Sequence, residues 1–342
     1  MWIAVDAMGG DTPLTIPVEG AVRAINDFDL NVALVGQETA IRQELQKYSY
    51  DPSKIKIIHC DEYVRMEESP AVALRQKKNS SIRVAIDKHK AGEVDAVVSA
   101  GHTGASMATA KMVLKSLKGI DRPAIIAVMP SSKGNFVLLD VGANTDCKPH
   151  YLLEFALMGE AYSQGILHNP NPRVGLLNNG EEEGKGNYLA KETYNLLKES
   201  TLNFVGNIEG KAMFKGEADV VVCDGFVGNV TLKVAEGTFD LIKTFLQEEI
   251  TKSFLAKISY LGMKPIFKAL KERADYKEIG GAPLLGVNGT VIICHGSSSA
   301  TAIRNAVKHA HDCATVGLND MIAKLLNANQ QLIEKAINLP QS

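Results

Sequence analysis

Lys185 stands between Gly184 and Gly186 in the run Asn178-Asn179-Gly180-Glu181-Glu182-Glu183-Gly184-Lys185-Gly186-Asn187, just ahead of a helical pattern. A lysine at a strand-to-helix turn is a point-charge binder of phosphate, and flanking glycines permit close approach. A solvated acidic loop accounts for the glutamates but not for that lysine. Asn229 closes a second such turn, Asp224-Gly225-Phe226-Val227-Gly228-Asn229. Its amide can cap a helix or donate to a developing oxyanion, and the residues alone leave both open.

Four more polar turns follow apolar runs. They are Asp6-Ala7-Met8-Gly9-Gly10-Asp11, Ser99-Ala100-Gly101-His102-Thr103-Gly104, Asp140-Val141-Gly142-Ala143-Asn144 and His295-Gly296-Ser297-Ser298-Ser299. Small residues and hydroxyls ahead of a helix make an anion site, because N–H groups and the positive helix end converge there. Asp6, Gly9, Gly10, Asp11, Ser99, Gly101, His102, Thr103, Gly104, Asp140, Asn144, Asp224, Gly228, His295, Ser297 and Ser298 are therefore candidate substrate or phosphate contacts. Each has a plainer role available, as helix cap or turn former. Ligands of open α/β sheets bind outside the carboxyl ends of strands, so the Asp6, Ser99, Asp140, Asp224 and His295 strand ends, alike in chemistry, predict one shared pocket.

Other chemistries lack their signatures. There is no GxGxxG, Walker A or G-x-S-x-G run. Five cysteines are scattered without CxxC spacing, which argues against a zinc site or a disulfide scaffold and for reduced thiols. No paired acidic cluster marks a divalent-metal site, and neither metal nor cofactor is expected. The formal net charge of −2 gives no footprint for nucleic acid.

The elements that must position these turns are legible as alternation. Short Val/Ile/Leu-rich runs near 2–6, 31–36, 55–60, 94–100, 124–129, 136–141, 173–178, 203–208, 218–224 and 290–295 predict strands buried on both faces. Helical patterns fall at 15–27, 38–48, 70–90, 104–117, 149–165, 187–199, 229–258, 298–310 and from 315 to about 337. The alternation predicts a three-layer, doubly wound α/β fold with a mostly parallel sheet, formed as a single domain over 1–342. The length of 342 residues, 45% of them hydrophobic, leaves ample material for its core. The chain opens directly on a strand, so no signal peptide is expected. No apolar run is long enough for a membrane span.

One segment, about 229–289, interrupts the alternation. It places about 60 residues between two strands, more than a crossover needs. Within it, Lys252 to Arg273 holds six basic residues and one acidic one, interleaved with Leu255, Ile258, Leu261, Ile266 and Phe267. A basic amphipathic helical hairpin suits a membrane surface or a partner helix, and the two are compatible.

Taken together, Asp6-Ala7-Met8-Gly9-Gly10-Asp11, Ser99 to Gly104, Asp140 to Asn144, Asn179 to Lys185, Asp224 to Asn229 and Gly280-Gly281-Ala282-Pro283-Leu284-Leu285-Gly286 resemble, in order, the motifs of the bacterial phosphate acyltransferase family PlsX. The resemblance runs from about residue 1 to 330. It implies acyl transfer from acyl–acyl carrier protein to inorganic phosphate in phospholipid synthesis, and a fold similar to phosphotransacetylases and isopropylmalate-type dehydrogenases. It also implies a cytoplasmic homodimer in peripheral contact with the membrane and with the downstream glycerol-3-phosphate acyltransferase. Lys185 and Asn229 match the family's favoured catalytic pair. The rival readings are a nicotinamide-dependent hydroxyacid dehydrogenase, against which the lack of paired metal-binding aspartates on one helix counts, and a membrane-surface scaffold for lipid enzymes.

Overall fold

The computed structural model describes residues 1–252, 259–260, 262–266 and 280–338. Strands β1 (Trp2–Asp6), β2 (Asn31–Gly36), β3 (Ile55–His59) and β4 (Ala96–Ser99) lie on one half of a mixed sheet. β5 (Ala124–Ser131), β6 (Gly134–Leu139), β7 (Val174–Leu177), β8 (Phe204–Ile208) and β9 (Val220–Val222) make the other half. β10 (Ala282–Leu285) and β11 (Val291–Ile293) return to the middle, giving the order β3-β2-β1-β4-β11-β10-β5-β6-β9-β7-β8.

Alternate side chains of each strand enter opposite cores. Ile3, Val5, Val32, Leu34 and Val98 meet one helix layer, while Ala4, Ala33, Val35 and Val97 meet the other. That two-sided burial is why the strands are apolar throughout rather than alternating, and it gives the three layers expected.

Directions decide where the polar turns go. β3, β2, β1, β4 and β11 run parallel. β10 is antiparallel to both β11 and β5, and β5 is antiparallel to β6. β6, β9, β7 and β8 are again mutually parallel. β5 therefore runs with the first half, and β6, β9, β7 and β8 run opposite to it. The carboxyl ends of β1, β4 and β11 lie at one end of the sheet, and those of β6, β9 and β7 lie at the other.

The helices are α1 (Thr15–Phe28), α2 (Glu38–Leu45), α3 (Pro70–Gln76), α4 (Ser81–Lys90), α5 (Thr103–Leu114), α6 (Pro149–Gly165), α7 (Tyr188–Glu199), α8 (Gly210–Phe214), α9 (Gly225–Lys252) and α10 (Ala300–Val316), followed by Leu318–Ala328 and Gln330–Ile337. The expected 70–90 helix is two, α3 and α4, because Lys77 leaves the helical region and the Ser81 N–H donates to the Glu62 carbonyl. The expected final helix from 315 is likewise divided. Gly317 adopts a left-handed φ of 66°, and Asn329 is held between segments, its side chain bonded to the backbone and hydroxyl of Thr201. Strand β10 and helix α8 were not foreseen.

α9 has a different character from the rest. Only Gly225 and Gly228 are buried along its 28 residues. Phe226, Val230, Val234, Leu241 and Phe245 are exposed at four- and seven-residue spacing, one stripe on one face. Among the described residues no helix is long and apolar enough to cross a membrane.

Candidate active site

At the ends of β1, β4 and β11 the polar groups serve one another. Asp6 is buried; its carboxylate accepts from the N–H groups of Met8 and Gly9 and, at 2.8 Å, from the Ser99 hydroxyl. The Ser99 oxygen accepts from the Gly101 N–H. Gly9 and Gly101 are small because the two loops touch: a Cβ on Gly9 would stand 2.8 Å from the Gly101 Cα. Gly10 combines a φ of 99° with the Ala100 carbonyl 2.5 Å from where a Cβ would sit. His102 precedes α5 and accepts the Ala105 N–H through Nδ1, leaving Nε2 as its outward donor. The His295 ring meets the Ser297 hydroxyl and N–H, and Ser299 caps α10. Asp11, Thr103, His295 and Ser297 face solvent here, with Gly104 and Ser298 half-buried beside them.

The other group builds a cleft. Asp140, at the end of β6, is fully buried and saturated. Its carboxylate accepts from the backbone of Ile125, Gly142, Ala143 and Asn144 and from the Asn144 amide. Burial pushes its pKa up against those bonds. Asn144 spends its remaining N–H on the Pro123 carbonyl. These two residues shape the 140–148 loop rather than reach for a ligand.

Asp224, not Asn229, caps α9, accepting at 2.9 Å from both the Phe226 and Val227 N–H groups. Asn229 is thereby moved into the helix, where its amide donates to the Val141 carbonyl at 2.9 Å over Gly142 (φ 135°). One amide hydrogen and its oxygen remain for other partners. Gly228 lets α9 lie directly on the Asp140 carbonyl, which a Cβ would overlap.

Beyond β7, the Asn178 amide donates to the Lys185 carbonyl, and the Lys185 N–H donates to Glu182. The exposed Lys185 side chain lies over Gly180, where a Cβ would come within 2.9 Å of its Cγ. No ion pair to it occurs among the described residues. Gly186 takes a φ of 92°, and Asn187 caps α7. Between this turn and α9 opens a cleft of about 490 Å³. Asn178, Asn179, Gly186 and Asn187 line one side, and Asp224, Val227 and Thr231 the other. Its floor is apolar: Leu152, Leu176, Leu177 and Leu189.

The expected single pocket is thus two groups within one chain, separated by the reversal of strand direction. Lys185, Asn229, Asp224, Gly228, Asp140 and Asn144 belong to the cleft end; the other candidates belong to the opposite end. Asn178, Gly186, Val141 and Gly142 all lay in motifs already noticed; what was missed is the part played by the Asn178 amide and the Val141 carbonyl. Leu255, Ile258, Leu261 and Phe267 lie outside the described residues, whereas Ile266 is 63% exposed.

The cysteines are poor nucleophiles. Burial pushes the Cys147 thiol up to about 12, and Cys223, fully buried in the cleft wall, well above its usual range. Asp121, His150 and Glu154 could hold a metal ion, their ligand atoms lying within 4.8 Å of one another. In this structure they bond one another: His150 Nε2 to Asp121 at 3.0 Å, and Glu154 to the Asp121 N–H at 2.9 Å. Burial raises the Glu154 carboxyl to about 8 and lowers the His150 imidazole.

The profile of the family described as fatty acid synthesis protein matches residues 1–321. A phosphate acyltransferase from Geotalea uraniireducens is 49% identical over 339 residues, covering 99% of this chain and 98% of its own. The chain belongs to the phosphate acyltransferase family. Another such relative, from Geobacter sulfurreducens, is 49% identical over 324 residues, covering 95% of this chain and 94% of its own. A member of this family is an acyltransferase of fatty-acid and lipid synthesis. Among solved structures, a phosphotransacetylase from Streptococcus pyogenes superposes with a TM-score of 0.62 at 20% identity, over 92% of this chain and 94% of that one. That likeness supports the mixed, mostly parallel α/β fold of phosphate acyltransferases.

Proposed function

We propose that this acyltransferase moves a fatty acyl group from an acyl carrier protein thioester to inorganic phosphate, releasing acyl phosphate and free carrier thiol. The observation that carries the reading is the cleft: an apolar floor for an acyl chain, with an exposed lysine, in no ion pair among the described residues, on the turn at its rim.

The chemistry asks little of the protein beyond placement and charge. Phosphate is already an anion, and an ordinary thiol, with a pKa of about 8.5, is a competent leaving group. A phosphate oxygen attacks the thioester carbonyl; the carbon–oxygen bond forms, the carbon–sulfur bond breaks, and the thiolate takes a proton from water. Lys185 holds the phosphate and offsets its charge as the two anions meet. Asn229 offers its free amide hydrogen to the tetrahedral oxyanion. Asp140, Asp224 and Asn144 hold the loop and helix that aim it. Incubation with acyl–carrier protein and phosphate, followed by hydroxylamine, is expected to yield acyl hydroxamate. None above the phosphate-free control would overturn the reading.

The protein acts as a homodimer at a membrane surface. The exposed apolar stripe of α9 supports a second copy as its cover, since so long a face is costly in water. The basic amphipathic composition of 252–273 supports contact with lipid. Delivery there suits a product with an acyl chain, for the downstream glycerol-3-phosphate acyltransferase to consume. Leu261→Asp with Phe267→Asp is expected to abolish co-sedimentation with anionic liposomes while leaving the dimer intact by light scattering. Unchanged co-sedimentation would remove the membrane role.

A further inference from the structure

Three cations gather beside the cleft while the carboxylates nearest them are committed elsewhere. Lys148 immediately precedes α6, one helical turn before Leu152 of the cleft floor, or about 6 Å along that face. Arg122 is exposed, with its guanidinium 5.7 Å from the centre of the Tyr151 ring. Lys111, on α5, lies near enough to Arg122 for the two charges to oppose each other. The Asp121 carboxylate pairs with His150, and the Glu154 carboxylate with the Asp121 N–H. Between Lys111 and Arg122 the chain also carries Lys115 and Lys118, with Asp121 the one acidic residue of 111–122.

This patch shares a wall with the candidate site. The Pro123 carbonyl, next to Arg122, accepts the Asn144 amide, and the Asn144 carbonyl accepts the N–H of Gly225, where α9 begins. Lys148 lies near enough to His150 for its charge to oppose protonation of that imidazole, which places it beside the Asp121–His150 pair and Arg122. Drawn from α5, the following turn and the start of α6, the patch is broader than one phosphate. A protein ligand covers such a surface.

We infer that the Lys111–Arg122–Lys148 patch docks an acidic face of the protein that carries the acyl thioester, an inference that rests on the acyl transfer proposed above. On a chain whose formal net charge is −2, a local positive patch steers an acidic partner to one place and accelerates encounter.

The test is Arg122→Glu with Lys148→Glu, and Lys90→Glu on α4 as a control for net charge. The double variant is expected to raise KM for acyl–carrier protein about tenfold, with kcat held within about twofold, and to flatten the dependence of KM on salt. Lys90→Glu leaves KM as it was. Fluorescence anisotropy of labelled carrier protein without an acyl chain measures docking apart from turnover. Wild-type protein that makes no acyl phosphate would overturn the transfer reaction, yet anisotropy would still decide the patch. Unchanged carrier affinity in the double variant overturns the inference. So does loss of anionic-liposome binding with carrier affinity retained, which assigns the patch to lipid.

Discussion

Lys185→Ala is expected to lower kcat/KM for phosphate by about 10²- to 10³-fold, the size of effect seen when one preorganised charge-stabilising donor is removed. The side chain is exposed and has no ion pair among the described residues, so folding does not depend on it. Stability should change by less than about 0.5 kcal/mol, as for ordinary surface substitutions. The neighbouring hydrogen bonds involve the Lys185 backbone, which alanine retains. Lys185→Arg keeps the charge but replaces a compact ammonium with a planar fork, and recovers part of the rate. Steady-state kinetics at varied phosphate, alongside urea unfolding, separates these effects. Near wild-type turnover in a folded Lys185→Ala protein would reduce the residue to a solvated turn position.

How much of this was legible depends on what each residue pattern encodes. Strands buried on both faces announce themselves as continuous apolar runs, and β1, β2 and β6 fall where Val, Ile, Leu and Phe concentrate. Direction is not encoded that way. The turn between β5 and β6 is short, with Gly134 at a φ of 126°, and such a connection makes a hairpin. That hairpin, with β10 inserted beside it, reverses β6, β9, β7 and β8 and divides the polar turns into two groups. β10 itself was hidden because Gly280, Gly281 and Pro283 read as a loop, although the strand is only four residues long and needs few ladder bonds.

The site shows the same limit at finer scale. Asp224 and Asn229 are both good caps by type. The sequence cannot say which one meets the helix start, since that depends on the chain entering α9 at Gly225. Once Asp224 takes the two N–H groups, Asn229 becomes an interior residue with an amide to spare. Similarly, Asp140 looked like a ligand-facing acid. Its loop N–H groups are local in sequence, but the Ile125 donor is supplied only when β5 comes alongside.

Gly228→Ala should then be the most damaging single methyl in the chain. A Cβ there would overlap the Asp140 carbonyl oxygen and come within 2.9 Å of the Cys223 sulfur. Both lie in buried structure, and the nearer is backbone that cannot rotate away. Overpacking of this kind costs about 2–3 kcal/mol. Relief requires α9 to lift from the loop, and lifting it breaks the 2.9 Å bond from Asn229 to Val141. Turnover should therefore fall at least as far as in Asn229→Ala, even under conditions where the variant is fully folded. Gly237→Ala, in the same helix, supplies the contrast. Within one protomer nothing lies within 4 Å of its added methyl, so there only helix propensity acts, and it stabilises the folded protomer by about 0.5–1 kcal/mol. Urea unfolding and hydroxamate-coupled turnover of the two variants measure both quantities. If Gly228→Ala matched Gly237→Ala in stability and rate, the close seating of α9 on the Asp140 loop would have no part in placing Asn229.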